Sequence, residues 1–280
     1  MKIGIIAGNR FLPIVIAKRI KEQNPRSHLV AICFRGETSR GINKFVDKSY
    51  WLNVGRLGEL REAIRREELK EWIMAGQINP LHIYRRQYWD EELVFLIGTT
   101  NDFRPHSIFE RIIKYIENEN NIEFLDSTIY LKRDLAQEGI MNNVAVDPSA
   151  LKDIGFGLTM ITRFVELDIG QTLAVKGGSV VALESLEGTD RTIKRAYGLA
   201  GRGCTVLKFS KVNQDLRFDV PVVGISTIKL LKNIYAKALV LEAGKVIILE
   251  KERFLSLAKD WQIAIIGKSR VKQSSNQEQR

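Results

Sequence analysis

The chain is poor in cysteine and histidine, the residues from which most zinc sites are built. Its 280 residues include two cysteines, Cys33 and Cys204, and three scattered histidines, His28, His82 and His106. Both cysteines lie in apolar, strand-like runs, so we predict buried free thiols in a reducing cytoplasm. The histidines lack metal-ligand spacing, and we interpret them as satisfied or exposed side chains. A two-cysteine metal site is therefore not expected.

Long hydrophobic runs are missing as well. No apolar stretch reaches the roughly 18 residues of a membrane-spanning helix. The N-terminal stretch is interrupted by Gly8, Asn9, Arg10 and Pro13 and has no small-residue cleavage site. We therefore expect strand, loop and helix there rather than a signal peptide. Walker A, zinc and RNA-binding aromatic patterns are also absent, and the balance of 45% apolar and 27% charged residues predicts an ordinary soluble globular protein.

Acidic residues are outnumbered, and the formal net charge is +10. The surplus is +3 in residues 1–128 and +7 in residues 129–280, of which +3 belongs to residues 268–280. Those last residues are polar, and we expect a disordered tail. A basic surplus suits an anionic partner such as nucleic acid, a phosphorylated ligand or an acidic membrane face. Ordinary solvated surface charge is the alternative.

Strand and helix patterns alternate through the first half, which predicts an open, mostly parallel α/β sheet. The expected strands are Lys2–Ala7, His28–Phe34, Glu71–Ala75 and Ile122–Leu125, and the expected helices are Leu12–Gln23, Arg56–Glu68 and Ser107–Asn118. Ligands of such sheets bind at the carboxyl ends of the strands. The loops around Gly8 and Gly76 are therefore the candidate ligand loops of a Rossmann-like domain.

These two loops can serve a nucleotide. Gly8-Asn9-Arg10 lies between strand and helix, where backbone N–H groups can receive a phosphate. The loop is not GxGxxG, and no ribose-binding acid follows the second strand, which argues against a nicotinamide cofactor. If Gly76-Gln77 lies on the same sheet edge, the two loops form a crevice for a nucleoside group. A purely structural turn is an equal alternative for each loop.

The second half favours hairpins, which predicts a distinct α+β domain. Gly177-Gly178 is expected to join strands Thr172–Lys176 and Val180–Leu183, and Gly244 to join Ala238–Glu242 and Lys245–Glu250. The other expected elements are helices at Ser149–Val165, Thr189–Leu199 and Ser226–Ala236 and a strand at Thr205–Phe209. The shift of pattern places a domain boundary near residues 126–133. We predict domains at 1–128 and 129–267 and a tail at 268–280.

Three clusters of acidic, amide and small residues fall between these elements. They are Asp168-Ile-Gly-Gln171, Glu184-Ser-Leu-Glu187-Gly-Thr-Asp190, and the stretch from Lys211 to Gly224. Carboxylates at such places can hold a divalent metal or manage protons. The structural alternatives are a helix stop at Gly170 and a helix cap at Thr189 or Asp190, with Thr189 favoured as the cap. An acid at a helix C-terminus meets an unfavourable dipole, which favours a functional role for Asp168.

The second cluster combines an anion site with acids. The Gly188-Thr189 backbone at a helix N-terminus can bind a phosphate. Three neighbouring carboxylates would repel that phosphate unless a cation intervenes. This conflict favours Mg²⁺, which binds through one or two carboxylates plus substrate phosphate oxygens.

The third cluster contains the strongest single candidate. Asp215, Arg217 and Asp219 alternate along what we expect to be an extended stretch, so their side chains should share one face. A solvated surface position is favoured for Arg217. Asp219 precedes Val220-Pro221, whose restricted backbone would hold the carboxylate rigidly. For Asp219 a functional role is favoured.

Four stretches closely resemble the LpxI-type UDP-2,3-diacylglucosamine pyrophosphatases of lipid A biosynthesis: GIIAGNRFLP, MAGQINP, DIGQTLAVKGGSVVALESLEGTDRTIKRA and KVNQDLRFDVPVVGISTIKLL. The resemblance covers residues 1–267, and EGTD followed by DLRFDVPxVG is its most specific part. It implies a Rossmann-like N-terminal domain, a distinct C-terminal domain, the lipid between them, and a homodimer. Asn9 and Arg10 stand where glycines are common in the family, and Asn79 where a basic residue is common.

The resemblance also implies a reaction. Family members cleave the pyrophosphate of UDP-2,3-diacylglucosamine with Mg²⁺, giving UMP and 2,3-diacylglucosamine 1-phosphate, or lipid X. The expected catalytic residues are Asp219, Glu187, Asp190 and Lys211, with Asp219, Asp168 and Glu187 as metal ligands. The expected substrate-binding residues are Gly8, Asn9, Arg10, Gly76, Gln77, Gly188, Thr189, Gln214, Asp215 and Thr227.

The basic second half is expected to bring the enzyme to the anionic cytoplasmic face of the inner membrane as a peripheral protein. Nucleic acid is not an expected partner. The main alternative is a non-catalytic protein that binds a nucleotide or an anionic lipid. A nicotinamide-dependent oxidoreductase is disfavoured by the missing fingerprint and acid.

Overall fold

The computed structural model describes residues 1–79, 82, 86–212 and 214–271, without the side chains of Arg86, Pro105 and His106. The chain forms two compact units. Met1–Leu131 and Asp215–Asp219 make up the first unit, and Lys132–Gln214 and the chain from Val220 onward make up the second. Each unit combines helices with its own main sheet, which confirms the predicted fold class. No helix among the described residues is long and apolar enough to cross a bilayer.

The first unit is built on a five-stranded parallel sheet. Its strands are β1 (Lys2–Ala7), β2 (His28–Phe34), β3 (Lys48–Leu52), β4 (Glu71–Ala75) and β5 (Glu123–Leu125), in the order β3-β2-β1-β4-β5. β1 and β4 are neighbours, and Ala7 is paired with Ala75. Because the strands are parallel, the loops after β1 and β4 leave from the same edge.

Four helices cover this sheet: α1 (Leu12–Gln23), α2 (Leu57–Glu67), α3 (Glu91–Gly98) and α4 (Pro105–Asn120). The core between helices and strands includes Trp72, which is fully buried together with branched residues such as Ile32 and Ile64. Burial of side chains of this size stabilises a fold by about 1.5–3 kcal/mol each. The predicted bounds of β1, α1, β2 and β4 are confirmed, whereas β3, which is only half-buried, and α3 were not predicted.

The second unit contains a six-stranded mixed sheet in the order β6-β13-β11-β9-β7-β8. Its strands are β6 (Gly139–Ile140), β7 (Thr172–Lys176), β8 (Ser179–Leu183), β9 (Thr205–Lys208), β11 (Ala238–Glu242) and β13 (Ala264–Lys268). β9, β11 and β13 are parallel, and the other three run antiparallel to their neighbours. Two further strands, β10 (Val222–Val223) and β12 (Ile247–Ile248), pair with each other in parallel. The predicted hairpin of β7 and β8 is confirmed.

The second predicted hairpin, around Gly244, is wrong. β11 is fully buried and lies between β9 and β13, so no place beside it remains for the chain after Gly244. That chain instead leaves the sheet and forms β12. A buried run of four apolar residues, as in Ala238–Leu241, fits a central parallel strand as well as a hairpin strand, so the sequence pattern alone could not separate the two.

Four helices flank the second unit: α5 (Pro148–Glu166), α6 (Thr189–Ala200), α7 (Ile225–Asn233) and α8 (Lys251–Asp260). α5 begins where the sequence favours it, because Asp147 accepts hydrogen bonds from the N–H groups of Ser149 and Ala150 and Pro148 occupies the first turn. α8 and β13 were not predicted. The tail was expected to begin at Lys268, but β13 contains Lys268 and the described fold continues to Val271; the rest of the expected tail lies outside the described residues.

Candidate active site

The loops after β1 and β4 lie together, as predicted. The N–H of Gly8 donates to the carbonyl of Ala75 (2.7 Å), and the N–H of Asn9 donates to the carbonyl of Gln77 (2.8 Å). The approach is close enough to require glycine on both sides. A Cβ on Gly8 would lie 2.7 Å from the Gln77 carbonyl oxygen, and one on Gly76, whose φ is +80°, would lie 2.4 Å from the Asn9 carbonyl oxygen.

Asn9 has one amide group whose two polar atoms differ in their hydrogen bonding. Its Nδ2 donates to Glu37 Oε2 (3.1 Å), and Glu37 Oε1 also bonds to His82 Nε2 (2.8 Å). Because a carboxylate only accepts, the amide is held with its NH₂ group toward Glu37. Asn9 Oδ1 is then buried with no hydrogen-bond partner among the described residues. Such an acceptor is free, among the described residues, to take a donor from a ligand. The neighbouring Arg10 is exposed, with φ +63°.

In the second unit, the N-terminus of α6 lies beside the carboxyl end of β9. The N-cap of α6 is Gly188, so the predicted capping role of Thr189 is wrong. The Thr189 hydroxyl accepts from Lys208 Nζ (2.6 Å) and also bonds to the Thr172 hydroxyl (3.1 Å) and the Glu184 carboxylate (3.4 Å). An ammonium only donates, so the Thr189 proton points to one of the other two oxygens. The hydroxyl links a cation to a carboxylate.

Three members of this group were not among the predicted site residues. Lys208 is 5% exposed, Glu184 is 9% exposed and Thr172 is fully buried. A lysine inside the apolar run Thr205–Phe209 is the signal that could have identified Lys208, since a buried charge requires a partner. Glu184 belongs to the acidic cluster, but nothing in the sequence separates it from Glu187.

Glu187 braces its own loop. Its carboxylate accepts from Arg195 Nη2 (2.6 Å) and from the N–H of Ser185 (3.0 Å). The hydrogen bond from Arg195 is the main reason that the pKa of Glu187 lies below its ordinary value. Arg195 also donates to the Leu183 carbonyl (2.6 Å). Glu187 is therefore an ionised carboxylate whose charge is already balanced.

Asp190 connects two helix N-termini. Asp190 lies in the first turn of α6, and its Oδ1 accepts from the hydroxyl of Thr227 (3.1 Å) in the first turn of α7. Thr227 is buried. The backbone N–H groups and positive dipole ends of two helices are thus brought side by side, an arrangement that favours an anion.

Asp168 follows the end of α5 and is paired with Lys211. Lys211 Nζ lies 3.0 Å from Asp168 Oδ1, and its positive charge offsets the unfavourable interaction of that carboxylate with the helix dipole. The helix stop predicted at Gly170 is wrong, because the left-handed residue is Asp168 itself, with φ +56°. The N–H of Lys211 donates to Gln214 Oε1 (2.8 Å), and Gln214 Nε2 is buried with no partner among the described residues.

Asp215–Asp219 is a turn, so the predicted extended stretch is wrong. The N–H of Asp219 donates to the carbonyl of Asp215 (2.9 Å), and the Asp215 carboxylate accepts from the N–H of Arg217 (3.0 Å). This local bonding of an aspartate to the backbone two residues on competes with extended structure. Phe218 packs against the core of the first unit.

Arg217 is not the solvated residue that we expected. Its guanidinium pairs with Asp215 (2.6 Å) and with Glu117 of α4 (3.3 Å), and the hydrogen bond to Asp215 is the main reason that its pKa is raised. The side chain is only 28% exposed. Arg217 and Glu117 therefore fasten the turn that ends in Asp219.

The predicted metal ligands do not form a cage. Within the described part of the chain, no three His, Cys, Asp or Glu side chains converge as a metal site. Asp168 and Glu187 each have a cationic partner, whereas Asp190 bonds to a neutral hydroxyl. A Mg²⁺ ion that takes one carboxylate from the protein and its other ligands from phosphate and water remains compatible with Asp190.

A surface depression of ≈ 630 Å³ lies elsewhere in the second unit. It is lined by Lys232, Tyr235, Lys237 and Trp261, near the amino ends of β11 and β13. None of the predicted site residues lines it. This depression is therefore separate from the residues that we predicted as site residues.

These features define a two-unit α/β protein with a pair of glycine-containing loops at the sheet edge of one unit and a side-by-side pair of helix N-termini in the other. The chain belongs to the LpxI family. The LpxI N-terminal domain matches residues 2–133 and the LpxI C-terminal domain matches residues 137–266. The family predicted from the sequence motifs is confirmed.

The chain is similar to the UDP-2,3-diacylglucosamine pyrophosphatase LpxI of Caulobacter vibrioides (strain ATCC 19089 / CIP 103742 / CB 15). The two are 24% identical over 276 residues, which cover 95% of this chain and 97% of that protein. Among solved structures, the biotin carboxylase domain of the Hydrogenobacter thermophilus 2-oxoglutarate carboxylase is similar at 13% identity and a TM-score of 0.26. That match covers 71% of this chain and 41% of the other, and it is too weak to bear on fold or function.

Proposed function

We propose that this protein hydrolyses the pyrophosphate bond of UDP-2,3-diacylglucosamine to UMP and 2,3-diacylglucosamine 1-phosphate, a step of lipid A biosynthesis. The observation that carries the proposal is the match of both halves of the chain to the two LpxI domains. The name of the Caulobacter relative supports the same reaction. Paired helix N-termini suited to a diphosphate add physical support.

The bond changes follow from the products. The oxygen of a water molecule forms a bond to the β-phosphorus, and the bond from that phosphorus to the bridging oxygen breaks. The bridging oxygen leaves with UMP, and a proton of the water is released. Attack at the β-phosphorus is what the family resemblance implies, and it leaves the new oxygen on the lipid phosphate. Catalysis then depends on placing the water in line and on neutralising phosphoryl charge.

We assign the stabilisation of phosphoryl charge to residues at the edge of the second unit. The Gly188-Thr189 amides at the start of α6 donate to an anion, and Lys211 adds a cation. The buried Lys208 ammonium donates a hydrogen bond to the Thr189 hydroxyl and holds it in place. Thr227 holds the Asp190 carboxylate, which is suited to a Mg²⁺ ion bound together with the diphosphate. Such an ion would neutralise charge on the phosphoryl oxygens.

We assign binding of the nucleotide to the loops after β1 and β4 of the first unit. The orphaned Oδ1 of Asn9 accepts a donor such as a base N–H or a ribose hydroxyl. The Gly8 and Gly76-Gln77 backbone lies beside it, and the exposed Arg10 can meet a phosphate. Gln214, with its own orphaned Nε2, offers a donor to a substrate oxygen, and Asp215 acts by shaping the turn.

Asp219 is proposed to orient the attacking water or to ligate Mg²⁺. It ends a turn fastened on both sides, by the Asp215 carbonyl and by Pro221, so its carboxylate needs little reordering. Glu187 and Asp168, first expected as metal ligands, are assigned to support: each is ion-paired and holds a loop of the site. This division leaves Asp219 and Asp190 as the acids closest to the chemistry.

The proposal extends to location and assembly. A net charge of +7 on residues 129–280 supports peripheral binding to the anionic cytoplasmic face of the inner membrane, where a diacylated substrate resides. A homodimer is proposed from the family resemblance. Light scattering coupled to gel filtration measures the assembly directly, and a mass of one chain would contradict the dimer.

The test is an assay of UMP release from UDP-2,3-diacylglucosamine by the purified protein, with Mg²⁺ and with EDTA. We expect release in Mg²⁺, loss of release in EDTA, and loss of release in Asp219→Ala with unchanged thermal stability. Binding of substrate by the wild-type protein without UMP would favour the non-catalytic binding protein instead. Wild-type turnover by Asp219→Ala would remove that residue from the mechanism.

A further inference from the structure

The chain continues beyond the LpxI match, which ends at residue 266, into an arginine that is tied back onto the candidate site. Arg270 Nε donates to Glu242 Oε1 (2.6 Å), at the end of β11. Its Nη2 donates to the carbonyl of Ser210 (2.7 Å), to the Ser210 hydroxyl (2.9 Å) and to the carbonyl of Lys211 (3.4 Å). One guanidinium thus joins the end of the chain to the Ser210–Lys211 loop.

Ser210 is held on every polar atom it has. Its N–H and its hydroxyl both donate to Glu242 Oε2 (2.7 and 2.6 Å), and its carbonyl accepts from Arg270. Ser210 and Glu242 are 3% and 5% exposed, so these bonds are shielded from water. Charge-assisted bonds of this kind in a low-dielectric setting fix geometry strongly.

What this network fixes is the start of a functional loop. Ser210 directly precedes Lys211, whose ammonium pairs with Asp168 and whose N–H donates to Gln214. The backbone of Lys211, from which its side chain projects, is therefore held by Arg270 at the Ser210 and Lys211 carbonyls and by Gln214 at its own N–H. Arg270 does not belong to the predicted anion site itself, and its contacts lead to that site through Lys211.

We propose that Arg270, with Glu242, is a positioning residue that holds the Ser210–Lys211 loop so that Lys211 is presented to the substrate diphosphate. The role assigned to Lys211 rests on the proposed function, whereas the holding of the loop rests on the contacts alone. The two parts are therefore tested by separate measurements.

The first measurement is hydrogen exchange of the full chain, which needs no activity. Arg270→Ala is expected to speed exchange of the Ser210 and Lys211 amides at least about tenfold, while the amides of β11 stay protected. Arg253→Ala is the matched control, because Arg253 is an exposed arginine paired only with Glu250 in the described contacts. Unchanged exchange at Ser210 and Lys211 in Arg270→Ala overturns the proposal, whether or not the protein hydrolyses the substrate.

The second measurement is a double-mutant cycle on UMP release. Arg270→Ala alone is expected to lower kcat about tenfold through misplacement of a catalytic group. If it acts through Lys211, adding it to Lys211→Ala lowers kcat no further. Additive losses would mean that Arg270 does not act through Lys211. An unaffected kcat in Arg270→Ala or in Lys211→Ala would mean that the positioning of Lys211 by Arg270 does not matter for the reaction. Each of these results overturns the positioning role. Faster exchange together with no UMP release by the wild-type protein would instead locate the failure in the proposed function.

Discussion

At the scale of single residues, the contact between the loops after β1 and β4 places a close constraint on the first unit. Gly76 combines a φ of +80° with a backbone oxygen 2.4 Å from where a Cβ would lie, so it faces both strain and a clash. Gly36 has nearly the same φ, +81°, but open space around it. Comparing substitutions at Gly76 and Gly36 therefore separates the cost of the steric clash from the cost of the left-handed backbone.

Gly76→Ala is expected to destabilise the protein by at least about 2 kcal/mol more than Gly36→Ala, whose cost is limited to the left-handed backbone at about 1–2 kcal/mol. Urea unfolding followed by circular dichroism measures both. The nucleotide loops would also separate in Gly76→Ala, so substrate affinity should fall only there. Equal destabilisation by the two variants would mean that the loop contact is not as close as described.

In the second unit, we expect replacement of the buried Lys208 to cause a large loss of unfolding free energy. Lys208→Met leaves the buried Glu184 carboxylate without the cation that reaches it through Thr189, and unfolding free energy should fall by about 3 kcal/mol. Adding Glu184→Gln should restore part of that loss, because the uncompensated charge is then gone. Lys194→Met, on the exposed face of α6, is the control and should change little. A further loss in the double variant would contradict the pairing.

Asp190 is the proposed Mg²⁺-binding acid of the second unit, and kinetics can distinguish its role from that of Asp168. Asp190→Asn keeps the hydrogen bond from Thr227 but removes the charge, so it should raise the Mg²⁺ concentration needed for half-maximal activity. Asp168→Asn, an exposed acid already paired with Lys211, should leave that concentration nearly unchanged. A larger increase of that Mg²⁺ concentration in Asp168→Asn than in Asp190→Asn would indicate that Asp168, and not Asp190, binds the metal.

At the scale of elements, the start of α5 offers a test by pH. The hydrogen bonds that Asp147 accepts from Ser149, together with Lys237, lower its pKa from 3.8 to about 2. A carboxylate with a lowered pKa stabilises the fold above its unfolded value and loses that contribution as pH falls toward its folded value. Asp147→Ala should therefore lower Tm at neutral pH, and the difference should shrink as pH falls from 3.8 toward about 2. A difference that is constant with pH would show that the cap does not depend on charge.

The elements that sequence reasoning placed correctly are those with local signals. β1, α1 and β2 are continuous apolar or amphipathic runs, and Gly177-Gly178 marks the hairpin of β7 and β8. The failures involve partners that are distant in sequence. β11 is a central strand because β9 and β13 flank it. The turn at Asp215–Asp219 forms through local hydrogen bonds of Asp215, and the ion pair of Arg217 with Glu117 of α4, distant in sequence, fastens it.

The candidate site divides in the same way. Asp190, Thr227 and Lys211 were predicted from motifs and do lie at the ends of α6, α7 and β9. Lys208 and Arg270 were missed, since the first looked like part of an apolar strand and the second like part of a polar tail. Their contacts with Thr189 and Ser210 exist only once the sheet has formed.

At the scale of the whole molecule, the unequal charge of the two halves can be tested on membranes. The protein should sediment with vesicles that contain anionic phospholipid and should be released as salt rises from about 0.1 M to about 1 M, where the screening length falls from about 10 Å to about 3 Å. Vesicles of zwitterionic lipid alone are the control. Binding that is equal to both vesicle types, or unaffected by salt, would exclude charge as the attraction.

The most direct measurement is the identity of the products formed from UDP-2,3-diacylglucosamine in isotopically labelled water. We expect equal amounts of UMP and 2,3-diacylglucosamine 1-phosphate, with the heavy oxygen on the lipid phosphate and none on UMP. Label on UMP would contradict attack at the β-phosphorus. Release of UDP, or no product at all from a folded protein supplied with Mg²⁺, would contradict the proposed hydrolysis itself.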